Sequence, residues 1–146
     1  MKKIFVLATL AASLSANAMD VSLSNSRDFN LDKNAVRVET SLPVAVLGVS
    51  PTLSATRVDN VYTRYAVGAQ ANLAKVGPVS LAVTGAGVYQ DTSAGANGYG
   101  LTVGFKGSVP VAKNLDFVAT VDRFLGQDRV RAFNGTQAAL GLRVKF

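Results

Sequence analysis

Apolar side chains recur at every second position over most of the chain, the period of a strand with two unlike faces. The clearest case is the C-terminal stretch. Thr136, Ala138, Leu140, Leu142, Val144 and Phe146 share one face; Gln137, Ala139, Gly141, Arg143 and Lys145 share the other. Tyr99, Leu101, Val103, Phe105, Gly107 and Val109 alternate in the same way with Gly100, Thr102, Gly104, Lys106 and Ser108. Tyr65, Val67, Ala69, Ala71 and Leu73 alternate with Arg64, Gly68, Gln70 and Asn72; Val79, Leu81 and Val83 with Ser80, Ala82 and Thr84. Leu115, Phe117, Ala119 and Val121 alternate with Asp116, Thr120 and Asp122. Three weaker segments begin at Val21, Val36 and Val49, the second placing Arg37, Glu39 and Ser41 on its polar face. The pattern predicts eight strands and no helix of any length.

The connections differ in character. Residues 27–34, 58–61, 90–97 and 125–134 are polar, and all but the second are long. Connections near Gly48, at Lys75-Val76-Gly77 and at Val111-Ala112-Lys113 read as short and tight. An up-and-down barrel with long loops on one rim and short turns on the other fits this rhythm. Proline cannot donate to a sheet ladder, and Pro43, Pro51, Pro78 and Pro110 all fall toward the short-turn rim. Tyr62, Tyr65, Tyr89 and Tyr99 fall near the long-loop rim with Phe124. They are expected to form an aromatic girdle at headgroup level, with Phe117 and Phe146 as a sparser counterpart.

The first residues read differently. Met1-Lys2-Lys3 is basic, Ile4 to Leu14 is an apolar run, and Ala16-Asn17-Ala18 fits a small-x-small cleavage site. That run is shorter than the roughly 17–25 residues a spanning helix needs. Residues 1–18 are therefore expected to be a secretory signal peptide, and residues 19–146 a single barrel domain. Loss of Lys2 and Lys3 would lower the net charge from +6 to +4.

Composition decides which face of the strands is outside. Charged residues are only 16% and hydrophobic residues 49% of the chain, against roughly 25% charged in soluble domains. The polar face is mostly Gly, Ala, Ser, Thr, Asn and Gln, too poor in charge for a solvated exterior and small enough for a narrow lumen. A chain ending on an apolar strand at Phe146 adds to the expectation that the apolar face meets lipid. The competing soluble ligand-binding barrel would put that face inside. In lipid only a closed barrel satisfies every strand hydrogen bond. The expected fold is an all-β, eight-stranded antiparallel up-and-down transmembrane barrel.

The leader, the eight strands and the segment Ala139-Leu140-Gly141-Leu142-Arg143-Val144-Lys145-Phe146 resemble small eight-stranded outer-membrane proteins. These are the OmpX, OmpA transmembrane-domain and opacity-type porin families. The stretch from Gly87-Val88-Tyr89 through Gly98-Tyr99-Gly100 to Val109-Pro110-Val111 has a weaker likeness to YfaZ-like envelope proteins. The resemblance implies location in the outer membrane of a Gram-negative cell. It also implies an assembly signal at Leu142, Val144 and Phe146, read by the barrel-assembly machinery.

Chemistry is sparse. There is no His and no Cys, which excludes Ser-His triads, Cys nucleophiles and the usual zinc sites. Barrels of this size that modify lipid A rely on a catalytic His. Ser93 with Asp91 lacks a general base, and the glycines at 95, 98 and 100 lack the Lys and helix of a phosphate loop. No enzyme, cofactor or metal is expected. The alternation places Arg37, Glu39, Arg64, Gln70, Asn72, Lys106, Asp116, Asp122, Arg143 and Lys145 in the lumen, five bases against three acids. Such groups need partners in a cramped interior. The expectation is a polar and ion-pair network that plugs the barrel, giving a structural or surface-interaction role. The alternative is a narrow, anion-leaning, porin-like channel. Arg129 and Arg131 beside Phe133 are candidates to meet lipopolysaccharide phosphates. Dispersed positive charge gives no nucleic-acid surface, and a monomer in outer-membrane lipid is expected.

Overall fold

The alternating segments form eight strands: β1 (Asp20–Asp28), β2 (Lys33–Ser41), β3 (Val49–Val58), β4 (Tyr62–Val76), β5 (Val79–Thr92), β6 (Gly98–Ala112), β7 (Leu115–Gly126) and β8 (Gly135–Lys145). The structure is a computed structural model, and it describes residues 19–42 and 48–146. The expected signal peptide at residues 1–18 and Pro43 lie outside the described residues. Every strand pairs antiparallel with its sequence neighbours, and β1 pairs with β8, so the sheet is a closed barrel. The seam runs from Asp20 opposite Lys145 to Asp28 opposite Gln137. Closure removes the unpaired edges an open sheet would present.

The sidedness follows the alternation. Val67 is 68% and Phe105 65% exposed on the outer face, and Leu23, Leu101, Val103 and Leu140 lie exposed with them. The inner face buries Ser22, Glu39, Gln70, Lys106, Asp116 and Asp122 instead. The barrel is thus apolar outside and polar within, the reverse of a water-soluble one.

The strands run further into the connections than their polarity suggests. Arg27, Asp28, Lys33 and Asn34 are ladder residues, so the β1–β2 connection shrinks to residues 29–32. The other loop-rim connections are 59–61, 93–97 and 127–134. On the opposite rim, Gly77-Pro78 and Lys113-Asn114 make two-residue turns. Gly77 takes φ +60°, which a residue without Cβ adopts freely. Register shifts at Leu73 and Val111 accompany these two turns. The connection near Gly48 falls largely at residues 43–47, outside the described residues. The last loop is not irregular throughout: Asp128–Phe133 forms a 3-10 helix that buries Val130 completely.

The seam depends on one small residue. Gly141 points inward, where a Cβ would collide with the Leu23 carbonyl and the Ser24 side chain of β1. Glycine lets the two strands coil closely enough to close a narrow cylinder.

Candidate functional site in the barrel interior

Because successive side chains alternate faces, each strand sends a short column of polar groups inward. These columns meet in three layers.

The layer beside the termini centres on Asp116. Arg143 donates from Nε to Asp116 Oδ2 at 3.2 Å and from Nη2 to Ser108 Oγ at 3.2 Å. Lys145 Nζ lies 2.7 Å from Asp116 Oδ1, and Asp20 lies 4.0 Å from Arg143. The middle layer joins five strands. Arg37 pairs with Glu39 at 2.8 Å and also with Asp122; Lys106 pairs with Glu39 and donates to Gln70 Oε1 at 3.0 Å. Thr84 donates to Asp122 at 3.4 Å.

The layer at the loop end is built differently. Tyr62 donates to Asp28 Oδ2 at 2.7 Å, and Gln137 donates to the same oxygen at 2.9 Å. Arg64 donates to Gln90 Oε1 at 2.6 Å and to the Phe133 carbonyl at 3.2 Å. Its guanidinium lies over the rings of Tyr62 and Phe124, at 4.1 and 3.8 Å from their centroids. Among the described residues, no carboxylate forms an ion pair with Arg64. Two π faces, an amide and a carbonyl hold its charge instead. Val130 and Phe133 of the 3-10 helix pack onto this cluster.

The space left inside is uneven. Between the middle and loop-end layers a cavity of about 30 Å³ remains, lined by Arg37, Glu39, Arg64, Asp122 and Gln137 among others. That is room for water molecules and little else. On the terminus side a cavity of about 490 Å³ is lined by Asp20, Ser50, Gln70, Lys106, Ser108 and Arg143. Asn72 also lines it.

All the lumen residues expected from the alternation face inward, and the charge balance changes. Asp20 and Asp28 join Glu39, Asp116 and Asp122, so the five bases meet five acids. Asp28, Gln90 and Gln137 are the buried members that the sequence reading did not single out. The signal was present in each case. Asp28 continues the inward column of Ser22, Ser24 and Ser26, and Gln90 continues that of Ala82 and Thr84.

The girdle divides. Tyr65, Tyr89 and Tyr99 are outward and in register across three strands, with the Tyr89 and Tyr99 centroids 5.3 Å apart. Tyr62 and Phe124 are each 2% exposed and point into the barrel, so they are not girdle residues. Each shares the parity of a lumen charge on its own strand, Arg64 or Asp122, and alternation outranks nearness to the rim. Leu142, Val144 and Phe146 are exposed on the outer face, and Phe117 lies there also. Arg129 and Arg131 are exposed on the 3-10 helix. Asp91 points outward at the end of β5, and Ser93 follows it in the β5–β6 loop.

No protein-family model and no curated protein matches the chain. Solved structures do. A de novo designed transmembrane β-barrel superposes with a TM-score of 0.64 at 10% identity, over 89% of this chain and 96% of that one. The outer membrane protein Ail of Yersinia pestis, solved in a phospholipid bilayer nanodisc, gives 0.59 at 14% identity over 89% and 99%. Neisserial surface protein A gives 0.56 at 15% identity over 88% and 95%. At these identities the likeness is one of fold: an eight-stranded antiparallel barrel of the kind that crosses membranes.

Proposed function

We propose that this chain is an integral outer-membrane barrel of a Gram-negative bacterium, exported through a cleaved leader at residues 1–18. In this reading it has a non-enzymatic, structural or surface-interaction role, and its lumen is closed by its own polar network. The observation that carries the reading is the sidedness of the sheet: exposed Val67, Leu101, Val103 and Phe105 outside, paired Arg37, Glu39, Lys106 and Asp122 inside. Water would penalise the first set and lipid the second. The Arg64 cluster closes the loop end with aromatic rings and hydrogen bonds. Outer-membrane lipid, lipopolysaccharide and the barrel-assembly machinery are the partners, and the protein acts as a monomer.

One observation favours a second reading. The 490 Å³ cavity at the terminus end reaches Gln70 and Lys106 of the middle layer, an arrangement suited to a narrow channel with a gate at the loop end. Fractionation with heat-modifiability on a gel, followed by planar-bilayer recording, separates the possibilities. A heat-modifiable band in the outer-membrane fraction and an electrically silent bilayer agree with the closed barrel. Discrete conductance steps altered by Lys106→Met or Arg143→Gln would establish the channel. Processed protein dissolved in buffer without detergent would end both.

A further inference from the structure

The outer surface is not the same all the way round at the loop end. On β4, β5 and β6 the outward residues nearest the loops are Thr63 and Tyr65, Asp91 and Tyr89, and Tyr99 and Leu101, none of them basic. On the opposite arc, three alternate strands each carry an outward arginine near their loop end: Arg123 on β7, Arg27 on β1 and Arg57 on β3. Between them, Val36 of β2 lies opposite Arg57 and Ala138 of β8 opposite Arg27. Thr136 of β8 lies opposite Arg123, and Asn34 of β2 opposite Arg27. Neighbouring strands are about 4.8 Å apart, so successive arginines are separated by about 10 Å around the barrel.

A groove of about 640 Å³ runs down the outer face beneath this row. Leu23, Val36 and Leu142 supply its apolar surface, and Asn34 and Arg57 stand at its loop end. The dimensions and chemistry suit an acyl chain below a polar headgroup. Arg27 pairs with Asp32 and donates to Asn34 at 3.2 Å; Arg57 pairs with Asp59 at 3.1 Å. The Asp32 and Asp59 side chains are 82% and 85% exposed in the loops. Exposed pairs of this kind contribute little, so they orient the guanidiniums without holding them against a stronger anion. Arg123 forms no ion pair among the described residues.

We infer that the arc from β7 through β8, β1 and β2 to β3 docks a lipid whose headgroup carries more than one phosphate, in the leaflet at the loop end. Guanidinium groups grip phosphate oxygens bidentately. A phospholipid with one phosphate engages one arginine, whereas a headgroup with separated phosphates bridges two. Thr136 and Asn34 between the arginines offer hydrogen bonds to hydroxyls on the same headgroup, and an acyl chain occupies the groove. The inference rests on the bilayer-spanning reading and adds to it a fixed partner at a fixed place. It also moves the phosphate contact from Arg129 and Arg131 to the barrel wall.

The test uses the full barrel reconstituted in phosphatidylcholine nanodiscs. Separate preparations contain bisphosphorylated lipid A, its monophosphorylated form, or phosphatidylglycerol at matched negative charge. Lipid retained after detergent extraction is measured by mass spectrometry. The expected result is about tenfold enrichment of the bisphosphorylated lipid over phosphatidylglycerol, with the monophosphorylated form between them. The R27Q/R57Q/R123Q variant should fall to the bulk ratio, the single R123Q variant should fall partway, and R129Q/R131Q should keep the enrichment. Equal retention of phosphatidylglycerol, or an unaffected triple variant that remains heat-modifiable, overturns the docking site. A wild-type chain that neither inserts nor becomes heat-modifiable defeats the bilayer-spanning reading itself. Insertion without enrichment defeats only the docking.

Discussion

The Arg64 guanidinium rests 3.8 Å from the centre of the Phe124 ring, inside the barrel, and among the described residues no carboxylate forms an ion pair with it. A ring that a reading by position places among the rim aromatics is instead a wall of the lumen. Phe124→Ala should therefore cost about 3 kcal/mol, the value of emptying a packed aromatic site. Urea unfolding of the vesicle-inserted protein measures it. A cost below about 1 kcal/mol would mean that the ring faces lipid after all.

Glu39 and Lys106 are expected to be coupled. Removing one member of a buried pair strands the other, so Glu39→Gln should destabilise by about 3–5 kcal/mol. Adding Lys106→Met removes the stranded charge and should recover a large part of that loss. A double-mutant cycle reads the interaction directly. Additive losses would show that the two groups do not share one site.

The outward position of Val103 sets the sidedness to a number. Val103→Arg should destabilise by about 2–4 kcal/mol if the residue lies at the bilayer midplane, and equilibrium unfolding in vesicles is the measurement. A neutral result would place this face in water.

Gly141 at the β1–β8 seam leaves no room for a side chain. Gly141→Val should cost about 1–3 kcal/mol through overpacking against Leu23 and Ser24. The same variant should reduce the heat-modifiable fraction, because the strain falls on closure itself.

Phe146 is expected to bear on assembly more than on the finished barrel. It lies beyond the last ladder residue and is exposed. Its deletion should lower the amount of barrel in the outer-membrane fraction much more than it lowers the unfolding free energy of the barrel that does form. Wild-type amounts of the deleted chain would remove its proposed role as an assembly signal.

Much of the architecture was readable because alternation is a local property. Each of the eight strands carries it, parity puts Arg37, Glu39, Lys106 and Asp122 on the polar faces of their strands, and the low charge content turns those faces inward. Tyr62 and Phe124 went astray because proximity to a rim was weighed above the parity they share with Arg64 and Asp122. Asp28 was hidden because polar residues look like loop, whereas polarity in a lumen is compatible with a ladder. The partnership of Asp28, Tyr62 and Gln137 joins three strands far apart in the chain. No local pattern encodes such a meeting; only the closed cylinder brings it about. The 3-10 helix at Asp128–Phe133 owes its place to Val130 filling the mouth, a packing fact without periodicity.

The seam that pairs Asp20 with Lys145 has a consequence for biogenesis. The first strand can find this neighbour only once β8 has been made, seven strands further along the chain. A prematurely terminated product cannot become a smaller version of the same cylinder. It retains two bare ladder edges, open to pairing with other chains, and quality control would meet it as an aggregation hazard.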